Sequence, residues 1–250
     1  MGRLRLLAVQ RHRRLPGDQD LFNGSPAQLL SLANADPVTA YYAQLGGSGS
    51  YLGNPTSARY PVTGGEVQEF AGGSILWSPG TGAHAVHGAI LGRYRALGGP
   101  GGFLGFPLTD ETGTPDGIGR YNHFANNGSI CWSPGTGAWS VHGAIRDRWA
   151  ALAWETGPVG YPLTDETGTL DGIGRYNHFA RDGSIYWTPG TGSWSVHGAI
   201  FDLWASIGWE TSNVGYPISD EYAIPGGRQS NFVSGIVSWN PTVGAVRKRG

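Results

Sequence analysis

The sequence predicts a mainly β protein with short helices, built as four tandem repeats of about 52–55 residues stacked as an elongated stalk. Three observations carry that expectation. Residues 107–149 and 162–204 are one 43-residue text written twice at an offset of 55, with eight differences. A Gly-x-Pro motif recurs in register as Leu52-Gly53-Asn54-Pro55, Leu104-Gly105-Phe106-Pro107, Val159-Gly160-Tyr161-Pro162 and Val214-Gly215-Tyr216-Pro217. A tryptophan follows each motif, at Trp77, Trp132, Trp187 and Trp239.

Ahead of each motif lies a short apolar stripe: Val38/Tyr42/Leu45, Ile90/Tyr94/Leu97, Ile145/Trp149/Leu152 and Ile200/Trp204/Ile207. Spacing of i, i+4, i+7 marks one face of a helix. Cut before each helix, the chain gives units 37–88, 89–143, 144–198 and 199–250, preceded by an extension over 1–36. Four units of about 50 residues would also suit a four-bladed β-propeller. Whole units can be cut from end to end, however, with no terminus completing a blade begun by the other, and this favours the open stalk.

In the extension, Ser25 is placed to cap a short helix over 26–34, with Pro26 at its first position. Residues 1–20 are expected to be mobile, and Arg11, His12, Arg13 and Arg14 to be solvated. Within a unit the order reads helix, Gly/Pro loop, strands. In the third unit Arg175–Phe179 alternates as a strand, Ala180-Arg181-Asp182-Gly183 is a hairpin turn, and Ser184–Trp187 returns. A second turn at Pro189-Gly190-Thr191-Gly192 leads to a strand over Ser193–His197, and a fourth short strand is expected after Pro162. The next helix is predicted over Ala199–Ile207, ended by Gly208. So small a sheet is marginal alone, and neighbouring units must cover one another's apolar faces.

Composition removes several function classes. A net charge of −1 with 14% charged residues offers no basic face for nucleic acid. No apolar run reaches membrane-spanning length. The start, MGRLRLLAVQRHRRLPG, has in Leu6 to Val9 too short an apolar core for a signal peptide. Cys131 is the only cysteine, which excludes an intrachain disulfide and a Cys-based zinc site. Tyr186 stands in its place in the next unit, so Cys131 reads as packing.

Leu104-Gly105-Phe106-Pro107, followed by Phe124, Gly128-Ser129-Ile130, Trp132, Gly137-Ala138 and Val141-His142-Gly143-Ala144-Ile145, resembles the LGFP tandem repeat. The resemblance runs over about residues 37–250 in four copies in phase. It implies a non-catalytic module of the cell envelope in mycolic-acid bacteria and their relatives, attached to a peptidoglycan–arabinogalactan wall. It also implies that an anchored enzyme domain, if there is one, lies outside this chain. The first copy departs from the pattern, with Asn54 for the aromatic and Arg59 where Glu111, Glu166 and Glu221 stand.

The paired carboxylates Asp110/Glu111, Asp165/Glu166 and Asp220/Glu221 do not read as glycosidase sites. Adjacent residues of an extended segment point to opposite faces, whereas hydrolysis needs two carboxyls facing one bond. They are expected to accept backbone N–H bonds from the loop after the proline. His87, His142 and His197 read as strand-end histidines bonded to backbone. Together with His123 and His178 they recur about 55 apart rather than clustering, so no metal site is expected. No nucleophile motif appears, Gly117-Ile118-Gly119 lacks a dinucleotide context, and no cofactor is expected. The chain does not read as an enzyme.

Trp139 and Trp194 stand where the outer units carry His84 and Val246. A position that accepts His, Trp and Val suits a half-exposed platform better than a tight core. Arg120, Tyr121 and Asn122 accompany the first of these tryptophans, and Arg175, Tyr176 and Asn177 the second. Flat aromatic faces with Arg and Asn donors match a neutral or weakly acidic glycan. These eight residues are the predicted ligand-binding set. A purely cementing role between units, in a structural or protein–protein scaffold, stays open.

Overall fold

A computed structural model describes residues 36–249. The helix expected over 26–34 and the basic residues of the extension lie outside the described residues.

One order of elements is repeated four times. Helix α1 (Pro37–Gln44) precedes β1 (Tyr60–Val62), β2 (Gly65–Phe70), β3 (Gly73–Ser78) and β4 (Gly82–His87). Helix α2 (Gly88–Ala96) precedes β5 (Thr112–Gly113), β6 (Arg120–Phe124), β7 (Gly128–Ser133) and β8 (Gly137–His142). Helix α3 (Gly143–Ala151) precedes β9 (Thr167–Gly168), β10 (Arg175–Phe179), β11 (Gly183–Thr188) and β12 (Gly192–His197). Helix α4 (Gly198–Ser206) precedes β13 (Tyr222–Ile224), β14 (Gly227–Phe232), β15 (Gly235–Asn240) and β16 (Gly244–Arg249). Each set of strands forms a four-stranded antiparallel meander in chain order.

The turns follow their residues. At the Asp-Gly turn Phe179 pairs with Gly183, and Asp182 takes φ 45, as Asn127 takes φ 52 in the preceding unit. Asp and Asn tolerate this left-handed geometry better than most residues. Helix α4 stops before Gly208, at φ 105. The short strand expected after Pro162 is split in two: an isolated bridge from Pro162 to Phe179, then β9.

The Gly-x-Pro motif is where helix and sheet lock. Its glycines, Gly53, Gly105, Gly160 and Gly215, all have φ between 66 and 77, a region costly for residues with a Cβ. This bend turns their carbonyls to the preceding helix. Tyr42 and Tyr94 hydroxyls donate to Gly53 and Gly105 at 2.7 Å. Trp149 and Trp204 ring N–H groups donate to Gly160 and Gly215 at 3.0 and 3.1 Å. The motif's aromatic then covers a glycine of the preceding repeat. A Cβ on Gly65, Gly119 or Gly174 would stand 2.7, 2.6 or 2.9 Å from the ring of Phe106, Tyr161 or Tyr216. Only a bare backbone leaves room for that approach.

Between successive sheets lies a helix. Helix α2 packs on β4 and on β7 and β8, α3 on β8 and on β11 and β12, and α4 on β12 and on β15 and β16. Three apolar clusters fill these joints, around Tyr94 and Phe124, around Trp149 and Phe179, and around Trp204 and Phe232, and a fourth lies under α1. No cluster mixes residues of the first and fourth sheets among the described residues. A closed propeller needs its first and last blades to meet. The array is open, as tandem repeats rather than blades.

Candidate functional site

Each joint is closed by side chains that the later repeat lends to the edge of the earlier sheet. In the third repeat Asp165 Oδ1 accepts the Ser140 backbone N–H at 2.9 Å and the Ser140 hydroxyl at 2.8 Å. Asn177 Nδ2 donates to the Ser140 carbonyl at 3.0 Å. Both edge groups of one β8 residue are thereby satisfied, as a fifth strand would satisfy them. Asp110 and Asn122 serve Ala85 of β4 in the same way, at 2.9 and 3.3 Å. Asp220 serves Ser195 of β12 at 2.9 Å. The aspartates thus accept edge N–H groups of the preceding sheet, not of the loop after the proline as expected. For Asp110, burial pushes the carboxyl up, but bonds from His84, Tyr41 and the Ala85 N–H outweigh it and hold the group below its usual range.

The neighbouring glutamates turn the other way, into a recurring cleft. Glu111 lies 3.4 Å from His87 and 3.0 Å from Arg120. Glu166 lies 3.3 Å from His142 and 3.8 Å from Arg175. Glu221 lies 3.5 Å from His197 and bonds Arg228. The strand-end histidines therefore meet carboxylates, where backbone partners were expected. Burial raises Glu166 despite Arg175, and burial with Arg175 lowers His142. Burial also lowers His197. At the first joint His87, Glu111, Arg120 and Trp132, with the start of α2, line a cleft of about 220 Å³. At the third, His197, Glu221, Arg228 and Trp239, with the start of α4, line one of about 240 Å³. Trp132 and Trp239 are half-buried there.

The pleat sorts the eight predicted residues onto two faces. Tyr121, Cys131 and Trp139 are register partners across β6, β7 and β8, as are Tyr176, Tyr186 and Trp194 across β10, β11 and β12. Arg120 and Asn122 alternate to the other face, with Trp132 beside Arg120. Arg120 and Arg175 are exposed, with about half of each side chain accessible (46% and 55%). Tyr121 and Tyr176 are half-buried, whereas Asn122 and Asn177 are fully buried in the joints.

Trp139 and Trp194 are half-buried and anchored, their ring N–H groups donating to Thr136 and Thr191 carbonyls at 2.6 Å. Arg93 lies over Trp139 at 4.5 Å and Arg148 over Trp194 at 4.2 Å. The same arginines bond Asp165 and Asp220, at 3.1 and 3.0 Å. Each Trp-Arg-Asp trio therefore spans a joint. Sequence reasoning missed Arg93, Arg148 and the cleft tryptophans Trp132 and Trp239. A recurring Trp aligned with a recurring Arg one strand away was the signal available for the latter.

Among the described residues no His, Cys, Asp or Glu group is disposed to hold a metal ion, and no helix is long and apolar enough to cross a membrane. His123 is half-buried between Ser129 (2.7 Å) and Arg146 (3.2 Å). Burial and that arginine push it down to about 4.

Fold and joints together define an open array of small β units whose polar residues are shared between neighbours. The LGFP repeat family model matches residues 52–102, 104–157, 159–212 and 214–250, and the chain belongs to that family. The family is a non-enzymatic repeat module of envelope proteins. A comparison with curated proteins gives no match. Among solved structures, the match to BT4673 from B. thetaiotaomicron, described as the extracellular domain of a one component system, has 12% identity and a TM-score of 0.18. It covers 76% of this chain and 23% of that one, and at that score it carries no argument.

Proposed function

We propose that this chain is a non-catalytic cell-wall anchor that binds a polysaccharide of the peptidoglycan–arabinogalactan type along its joints. One observation carries the reading. The same His-Glu-Arg-Trp cleft, of about 220 and 240 Å³, recurs at separate joints of one array. A repeating polymer can engage such clefts in turn, and weak sites then gain avidity through effective concentration.

In this reading Arg120 and Arg175 supply donors, Trp132 an apolar wall, and the free edges of Trp139 and Trp194, with Tyr121 and Tyr176, the flanking aromatic contacts. Asn122 and Asn177 act by holding the cleft walls together. The paired carboxylates Asp110/Glu111, Asp165/Glu166 and Asp220/Glu221 supply no free acid and nucleophile, since each already serves a joint. The site of action is the cell envelope. The alternative, a scaffold without glycan binding, is favoured by the Arg-covered tryptophans, which already have a joint to hold.

Co-sedimentation with insoluble peptidoglycan–arabinogalactan separates the two. Wild type should pellet, Arg120→Ala/Arg175→Ala should weaken pelleting while staying folded, and Trp139→Ala/Trp194→Ala should do so if the ring edges touch glycan. Wild type remaining in the supernatant would turn the assignment to a protein partner.

A further inference from the structure

The second and third joints are near copies in sequence, yet one contains a cavity that the other fills. Where Tyr186 packs edge-on against Trp204 (4.7 Å, 75°) and flat on Tyr176 (4.9 Å, 15°), the preceding repeat has Cys131. The missing ring leaves a pocket of about 80 Å³ against Trp149, bounded also by Tyr121, Trp154 and Glu155.

A second difference sits on the same pocket. In the third joint Glu210 is buried, and its Oε1 accepts the backbone N–H of Leu170 at 2.9 Å. Its counterpart Glu155 is 2% exposed, but the residue facing it is Pro115, which has no N–H. Glu155 Oε1 is left buried with no hydrogen-bond partner among the described residues. A buried carboxylate oxygen without a donor is costly unless something else supplies one. Two of the eight differences between the duplicated segments, Pro115 for Leu170 and Cys131 for Tyr186, thus act on one place. One opens a space and the other frees a carboxylate that lines it.

We propose that this pocket binds a small primary ammonium group on a short apolar stem, with Glu155 as its counter-ion and Trp149, Trp154 and Tyr121 as its walls. An ammonium brings the donors that the carboxylate lacks, and aromatic faces attract a cation whose stem they also cover. Burial, with the Glu155 and Asp116 charges adding to it, pushes the Cys131 thiol up. Arg146 lies against His123 at 3.2 Å and over Trp154 at 5.1 Å. The site is separate from the His-Glu-Arg-Trp clefts and does not depend on glycan binding.

The test is a titration of the whole chain with n-propylammonium, read by NMR shifts of the indole N–H groups, with n-propanol as the neutral control. A ligand of so few atoms should saturate in a range of about 0.1–10 mM. Expected are saturable shifts at Trp149 and Trp154, weakened about tenfold or more for propanol and in Glu155→Gln, a factor set by the lost charge. Cys131→Tyr/Pro115→Leu, which installs the residues of the neighbouring joint and so retains a proven packing, should abolish them. No saturation in wild type, equal binding of propanol, or unchanged binding in the folded double variant would each overturn the proposal.

Discussion

The first repeat and the repeats that follow it differ at the positions that make a joint. The motif aromatic is Phe106, Tyr161 and Tyr216 in the later repeats and Asn54 in the first. The edge-binding aspartate is Asp110, Asp165 and Asp220, against Ala58. The cleft pair is Glu111–Arg120 in the second repeat, and in the first it is reversed as Arg59–Glu66 at 3.0 Å. Each changed residue would reach back to a preceding repeat sheet, and no such sheet precedes the first repeat among the described residues. The motif glycine Gly53 and the bridging Pro55, which act inside a repeat, are kept. The comparison separates residues that build a unit from residues that join two.

The largest effect should come from the helix aromatic that serves both purposes. Trp149, 2% exposed, fills the second joint and holds Gly160, so Trp149→Ala should cost roughly 3–5 kcal/mol in chemical denaturation. Next, Asp165→Ala strips the β8 edge of its acceptor and Arg93 of its partner. A loss of about 1.5–3 kcal/mol is expected, whereas Ala58→Asp in the first repeat should stay within about 0.5 kcal/mol. Equal effects at the two positions would erase the distinction between joint and unit.

Acid should act on the joints through histidine. His123 falls from its ordinary value near 6.5 to about 4, and His142, His178 and His197 are also lowered, each chiefly by burial. The folded chain therefore binds fewer protons than the unfolded one between about pH 6.5 and 4. Stability should be full above that window and decline as pH falls through it. His123→Gln, measured by the pH dependence of Tm, should flatten part of the decline. The smallest effect is expected from reversing the first repeat's partly exposed pair, Arg59→Glu/Glu66→Arg, which should change stability by about 0–1 kcal/mol.

Much of the fold was legible because it is local. Glycine, proline and Asp-Gly turns placed the strands over 175–197 to within a residue at each end, and the Ile200/Trp204/Ile207 stripe located α4. The site was less legible because its contacts are not local. Arg120, Tyr121 and Asn122 look like one cluster when read as text, but the pleat sends the tyrosine to one joint and its neighbours to another. The aspartates were recognised as structural, yet their partner Ser140 lies 25 residues before Asp165, in another repeat. Trp139 resembled an open platform because nothing nearby in sequence covers it, and Arg93 arrives from the far side of the repeat.

The splitting of each joint into a forward half and a backward half has a genetic consequence. A repeat carries at its front the aromatic, Asp and Glu that grip its predecessor, and at its back the strand edge and histidine that its successor grips. A recombination that duplicates one 55-residue period, wherever within the period it breaks, yields a new unit with complementary surfaces on both sides. Copy number can then change in one event without compensating substitutions, and the two nearly identical periods over 107–149 and 162–204 are what such an event leaves behind.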